Sequence, residues 1–319
     1  MHWLAIAALL ADPQMQVIRV PVRLVTVPTL VFASDGKCVA GLEARDFQVF
    51  DEGRPRPFIL DTEYLPPSVA VVVQVSAQVG KYLPFVAKAG SAVEDLLVGE
   101  TGEAALITYD DFVTVQKEFD GGETRAAFRK ISEGGKRARM IDAALAGVDL
   151  LRKQPATRSR VLLLIGQAMD RGSQGNLESL REQAERENVA IFAMALPQFN
   201  KTFVEDTFAL EGPSQPSDRG GFKASTDLSR LAPALTHAAA AEAKADPFTV
   251  LTRATGGTQL HFRTQRALED AVGIVGTELR SVYTLSFAPD STQKGYHNIR
   301  VEVNIPGATP YARPGYRLE

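Results

Sequence analysis

Three short stretches of this chain are almost continuously apolar, without alternation: 68–75 (SVAVVVQV), 160–165 (RVLLLI) and 189–196 (VAIFAMAL). A strand with one wet face alternates, so a strand that does not alternate is buried on both faces, as in a parallel sheet covered by helices. The segments between them carry helical spacing. In 81–98, Leu83, Val86, Ala87, Val93, Leu96 and Leu97 fall on one side. Further helices are expected at 123–131, 139–151, 176–187, 227–243, 247–255 and 265–280, the one at 247–255 stopped by Gly256-Gly257. Residues 104–109 and 258–262 read as additional core strands, and 112–118 as a short edge strand. Strand–helix units with short links imply an α/β fold, Rossmann-like and doubly wound, with right-handed crossovers.

The flanks follow a different pattern. Residues 17–33 are Val-rich and alternating, and Ser34-Asp35-Gly36-Lys37 is a turn sequence. Strands are expected at 46–50 and 57–63, around the turn Asp51-Glu52-Gly53-Arg54. Pro66-Pro67 then breaks the pattern. After 282 the chain returns to strand at 283–287, 299–305 and 311–317. Chain ends commonly lie close together, so the two flanks are expected to form one small β-sandwich. The resulting division is a leader at 1–15, sandwich at 16–66, α/β domain at 67–282 and sandwich again at 283–319. Residues 197–226, rich in Gly, Pro, Ser and charge, read as a surface insertion. The sequon Asn200-Lys201-Thr202 within it is attributed to chance.

Composition removes several functional classes. Among 319 residues, 35 Lys and Arg against 38 Asp and Glu give a net charge of −3, without the basic excess that nucleic-acid binding requires. Cys38 is the single cysteine, so no internal disulfide, Cys-rich zinc site or CxxC pair exists. His2, His237, His261 and His297 share no metal-binding spacing. No apolar run reaches the roughly 18 residues that span a bilayer. The run 4–11 (LAIAALLA) has the size of a signal-peptide core and points to an extracytoplasmic protein.

Catalytic templates fail. No GxGxxG follows a strand and no GxSxG elbow occurs. The P-loop pattern fails around Gly135-Lys136, where Lys130 and Arg137 stand in place of Gly and Ser or Thr. Asp110-Asp111 reads as a solvated turn. In open α/β sheets the ligand crevice lies at the carboxyl ends of the strands, where strand order reverses. That selects three loops: Gln74-Val75-Ser76-Ala77-Gln78, Gly134-Gly135-Lys136-Arg137-Ala138 and Gly166-Gln167-Ala168-Met169-Asp170.

At these residues the α/β core resembles a von Willebrand factor A domain, and the whole chain resembles the acidobacterial type of that family. The resemblance rests on Gly41-Leu42 to Asp46-Phe47 with Asp51-Glu52-Gly53, on Gly134-Gly135 with Asp142-Ala143, and on Asp170-Arg171-Gly172-Ser173. It continues in Ala254-Thr255-Gly256-Gly257, Glu278-Leu279-Arg280 with Tyr283, and Arg313-Pro314-Gly315-Tyr316. The family implies a metal-ion-dependent adhesion site made of Asp-x-Ser-x-Ser, a Thr on the second loop and a later Asp. By position the first Asp falls on Gln74, the two Ser on Ser76 and Gln78, the Thr on about Ala138, and the later Asp on Gln167. One ligand type of five survives.

Mg²⁺ usually takes one or two carboxylates with hydroxyls and water. Replacing both Asp by Gln removes two negative charges, and neutral amides compete poorly with the hydration shell. The expectation is therefore a domain that kept its fold without its metal, with no cofactor and no metal, and with a protein as partner. A residual cation site at Asp142 or Asp170 is the alternative. Lys136, Arg137 and Arg139 sit in the overhanging loop, where a guanidinium can replace the metal charge and receive an acidic side chain of a partner. A hydrolase built on Ser76 and Asp170 lacks a positioned His or Lys base. The resemblance thus implies a non-enzymatic interaction or scaffold module.

Overall fold

The computed structural model describes residues 24–119, 122–197 and 246–318. The expected leader, residues 17–23 of the first strand, the sequon, all but the first residue of the 197–226 insertion and the helix at 227–243 lie outside the described residues.

Four short strands open the described chain: β1 (Val25–Phe32), β2 (Phe47–Asp51), β3 (Arg54–Arg56) and β4 (Ile59–Asp61). β2 and β3 pair Asp51 with Arg54, so only Glu52 and Gly53 turn the chain, and both have positive φ (49° and 76°). A two-residue hairpin with both φ positive matches the twist of its strands, and Gly53 adopts it without a Cβ penalty.

The core follows. β5 (Pro67–Gln74) is buried at all eight positions, as expected of a strand that is apolar without alternation from Val69 to Val73. α1 (Leu83–Ala92), β6 (Glu103–Tyr109), β7 (Val113–Lys117), α2 (Thr124–Phe128) and α3 (Met140–Leu151) come next. Then come β8 (Ser159–Gly166), α4 (Leu177–Arg186), β9 (Val189–Ala195), α5 (Pro247–Thr255), β10 (Gln259–His261) and α6 (Gln265–Arg280). The sheet order is β10-β9-β8-β5-β6-β7. All neighbours are parallel except β7, which runs antiparallel at the edge. Strand alternation sorts the helices. Val69, Val71 and Val73 pack with residues of α1, α2 and α6, while Ala70 and Val72 pack with α3, α4 and α5. The expected α/β core, a mainly parallel sheet with helices on both faces, is present.

The last strands are β11 (Tyr283–Phe287), β12 (Gly295–Val303), β13 (Thr309–Ala312) and β14 (Gly315–Leu318). With the first four they form two antiparallel sheets, ordered β13-β1-β11-β4 and β14-β12-β2-β3. One apolar cluster takes side chains from both sheets, including Val27, Phe47, Val49, Leu285, Phe287, Ile299, Val301 and Tyr316.

Three expectations need correction. The strand expected at 57–63 is only β4 within those bounds: the hairpin with β2 is closed earlier by β3, the chain then changes sheet, and β4 pairs with β11. Pro57 lies between them and has no N–H for a ladder. The strand expected at 311–317 divides in the same way at Arg313-Pro314. The helix expected at 81–98 is α-helical only in α1. It opens as a 3₁₀ turn at Ala77–Tyr82 and ends as a π turn at Val93–Val98.

Candidate functional site

β5 leads first to β6 on one side and later to β8 on the other, so the strand order reverses at β5. The crevice expected there lies above Gln74, Tyr109 and Gly166, the last residues of β5, β6 and β8.

Two of the carried-over positions meet directly and a third joins them. Gln74 is 1% exposed and Ser76 fully buried. The Gln74 amide nitrogen donates to Ser76 Oγ (2.7 Å), and its Oε1 accepts from the backbone N–H of Gln167 (2.7 Å). The Gln167 side chain turns away and donates to the carbonyl of Pro197 (3.0 Å). Gln78 stands apart at the rim, donating to the carbonyl of Lys136 (2.5 Å). Ala138 is buried and pairs antiparallel with Arg171 through both backbone hydrogen bonds (3.2 and 2.8 Å).

The crevice floor is closely packed. A Cβ at Gly166 would lie 2.6 Å from the Tyr109 hydroxyl and 2.8 Å from Gln74 Cβ, so glycine is required there. The Tyr109 hydroxyl is buried without a hydrogen-bond partner among the described residues. Burial, with the nearby Asp170 carboxylate, pushes its pKa well above the ordinary phenol value.

The carboxylates around the crevice are engaged by backbone. Asp170 Oδ1 accepts from the Ile141 N–H (3.0 Å) and the Ser173 hydroxyl (2.6 Å), and Ser173 Oγ in turn accepts from the Asp142 N–H (3.1 Å). These contacts satisfy N–H groups in the first turn of α3, which have no partner within the helix. Asp142 accepts from the N–H groups of Gln174 and Gly175 and is paired with Arg139 (2.6 Å). Burial raises its pKa, but those two N–H groups and the guanidinium outweigh it and hold the carboxyl below its ordinary range. Arg139 therefore departs from the expectation of a rim cation, because its own helix supplies a carboxylate three residues on.

Asp110 and Asp111 also differ from the solvated turn read from sequence. Asp110 Oδ2 accepts from the Gly135 N–H (2.7 Å) and Oδ1 from the Phe112 N–H (2.8 Å), while Asp111 accepts from the Arg137 N–H (2.9 Å). The β6–β7 tip thus clamps the 134–137 loop, which also bonds to Val75 and Ala77 through backbone. The available sequence signal was the adjacency of two Asp at a strand end with a Gly-Gly loop at the same end of the sheet. Phe112, 70% exposed, projects from this tip.

Among the described residues, the side chains of Lys136, Arg137 and Arg171 make no hydrogen bond or ion pair. Among the described residues no group of three or more His, Cys, Asp or Glu side chains is placed to hold a metal ion, and no helix is long and apolar enough to cross a membrane.

Fold and site together define a doubly wound α/β protein whose crevice holds a neutral amide–hydroxyl network. No family model matches the chain, and no curated protein matches it. Among solved structures it is similar to the conserved hypothetical protein BatB from Bacteroides thetaiotaomicron (10% identity over 66% of this chain and 98% of that one, TM-score 0.40). It is also similar to a von Willebrand factor type A protein from Catenulispora acidiphila (10% identity, 94% and 64%, TM-score 0.46). A third is proximal thread matrix protein 1 of the mussel byssus with a zinc-occupied MIDAS motif (12% identity, 73% and 50%, TM-score 0.45).

Proposed function

We propose that this chain is a non-enzymatic protein-interaction or scaffold module of the von Willebrand factor A type, working outside the cytoplasm without a bridging metal. Its two antiparallel sheets serve as a β-sandwich support. The single observation carrying the metal-free reading is the Gln74–Ser76–Gln167 network. Its acceptors already hold protein donors, and it contains no carboxylate. A dication entering there would have to break two buried hydrogen bonds and trade its water for neutral amides. Asp142 and Asp170 do not replace the missing charge, because backbone N–H groups and Arg139 already engage them. The same network leaves Ser76 beside an amide in place of a base. The extracytoplasmic placement rests on the apolar run 4–11.

Lys136 and Arg137 are the rim groups that meet an acidic partner, with Arg171 beside them across the backbone bridge to Ala138. Calorimetric titration with Mg²⁺ and Mn²⁺ tests the reading, and no saturable heat is expected. Saturable heat that disappears in Ser76→Ala would overturn it. Pull-down from a native cell envelope is expected to give the same partner with and without chelator, and Arg137→Ala to weaken its capture.

A further inference from the structure

α6 returns antiparallel to the core strands, so its last turn lies at their N-terminal ends, away from the crevice. A cavity of about 870 Å³ opens there between α6, the turn at 35–38 and Leu96. That volume lies within the ~300–1,000 Å³ typical of small-molecule sites. Phe32, Leu96 and Ile274 give it an apolar lining. Leu96 is left 41% exposed, and Gly273 contributes no side chain to fill the space.

One charged group among the lining residues is both buried and short of partners. Glu278 is 2% exposed. Its Oε2 accepts from the Thr258 hydroxyl (2.8 Å), and among the described residues the carboxylate has no other hydrogen bond and no ion pair. The neighbouring cations are engaged elsewhere: Lys37 pairs with Asp35 (3.1 Å), and both Arg280 amino groups donate to the Leu96 carbonyl (3.1 and 2.8 Å). Burial pushes the Glu278 pKa up to about 7, opposed only by the Thr258 hydrogen bond. A buried carboxylate with one neutral donor is half of an ion pair, and leaving it so is expensive. Cys38 lines the same cavity half-buried.

We propose that this cavity binds a small primary ammonium ion on a short apolar chain, the ammonium against Glu278 and the chain across Phe32, Leu96 and Ile274. The matching alcohol supplies the apolar contact without the charge, and the matching carboxylate adds repulsion. This site is separate from the crevice and independent of the function proposed for it.

Cys38, the only cysteine, provides the readout. The probe is n-hexylamine with the full chain at pH 8, and the measurement is the rate at which an aromatic disulfide reagent labels the thiol. At about nine times the apparent Kd roughly a tenth of the sites are free, so labelling slows about tenfold. 1-Hexanol is expected to protect only at higher concentration, and hexanoate not at all. Glu278→Gln should abolish the preference for amine over alcohol. Ile274→Trp, which fills the cavity while keeping the carboxylate, should abolish protection by both. Arg137→Ala should change neither, which separates this test from that of the crevice. Equal protection by amine and alcohol in the native chain would sink the proposal. So would a preference that survives in Ile274→Trp, should Glu278→Gln not fold.

Discussion

Gln74 accepts one backbone N–H and donates to one hydroxyl, which an uncharged amide does and a carboxylate does not. Gln74→Ala leaves the buried Gln167 N–H without its acceptor, a loss of about 1–3 kcal/mol that urea unfolding measures. Gln74→Glu keeps the size but places a charge where burial disfavours it, so its pKa rises on folding. Its stability should match the native chain below the unfolded carboxyl pKa and fall behind as pH climbs through the folded one. Glu278 already behaves this way. With a folded pKa of about 7 against an ordinary glutamate value of 4.5, folding is unpenalised below about pH 4.5, and a penalty on the order of 3 kcal/mol develops by pH 8. Glu278→Gln should therefore gain thermal stability over the native chain at pH 8 and little at pH 4.5. Asp142 has the opposite sign. Its lowered pKa contributes stability above the unfolded carboxyl pKa and loses it as pH falls through the folded one, so Asp142→Asn should be costly at pH 7 and nearly neutral at strongly acid pH.

The helix α1 and the π turn after it show how two elements lock. The π turn bonds Gly99 N–H to Glu94 and leaves the Leu96 carbonyl to Arg280 of α6. α6 approaches so closely that a Cβ at Gly276 would overlap that carbonyl, whereas one at Gly273 would meet only Leu96 Cδ1 at an ordinary 3.6 Å. Gly276→Ala should lower the unfolding midpoint by a stability loss of about 1–3 kcal/mol. Gly273→Ala should be neutral or gain up to about 1 kcal/mol from helix propensity. The core elements were legible in sequence because burial on both faces erases alternation, as in 68–75 and 160–165. The split at Arg313-Pro314 was not, because the choice of sheet is made by distant partners, Leu30 for Tyr311 and His297 for Tyr316. At the site, the uncharged amides of Gln74 and Gln167 at the strand ends could be read directly from the sequence. The clamp by Asp110 and Asp111 could not, since it joins a hairpin tip to a loop some 25 residues away.

Across the whole molecule, each of the two antiparallel sheets mixes strands from residues 25–61 with strands from 283–318. Ending the chain at Val282 would strip β1 and β2 of β11, β12 and β13. In hydrogen exchange, the amides of β1 and β2 should then lose protection, while those of β5 and β8, paired only within the core, keep theirs. A second tie lies between α4 and β14, where Arg317 meets Glu182 (2.8 Å) and Glu178 (3.3 Å). These side chains are about one-third exposed or more, so adding salt should loosen the tie modestly.

The interleaving also imposes a schedule on biosynthesis. About 220 residues separate β4 from β11, which at roughly 5–20 residues per second is on the order of 10–45 s of translation. During that interval the first strands have emerged and their mates have not, so their bare edges are open to pairing with any neighbouring chain. A cell producing this protein must keep those edges covered until the carboxyl end arrives.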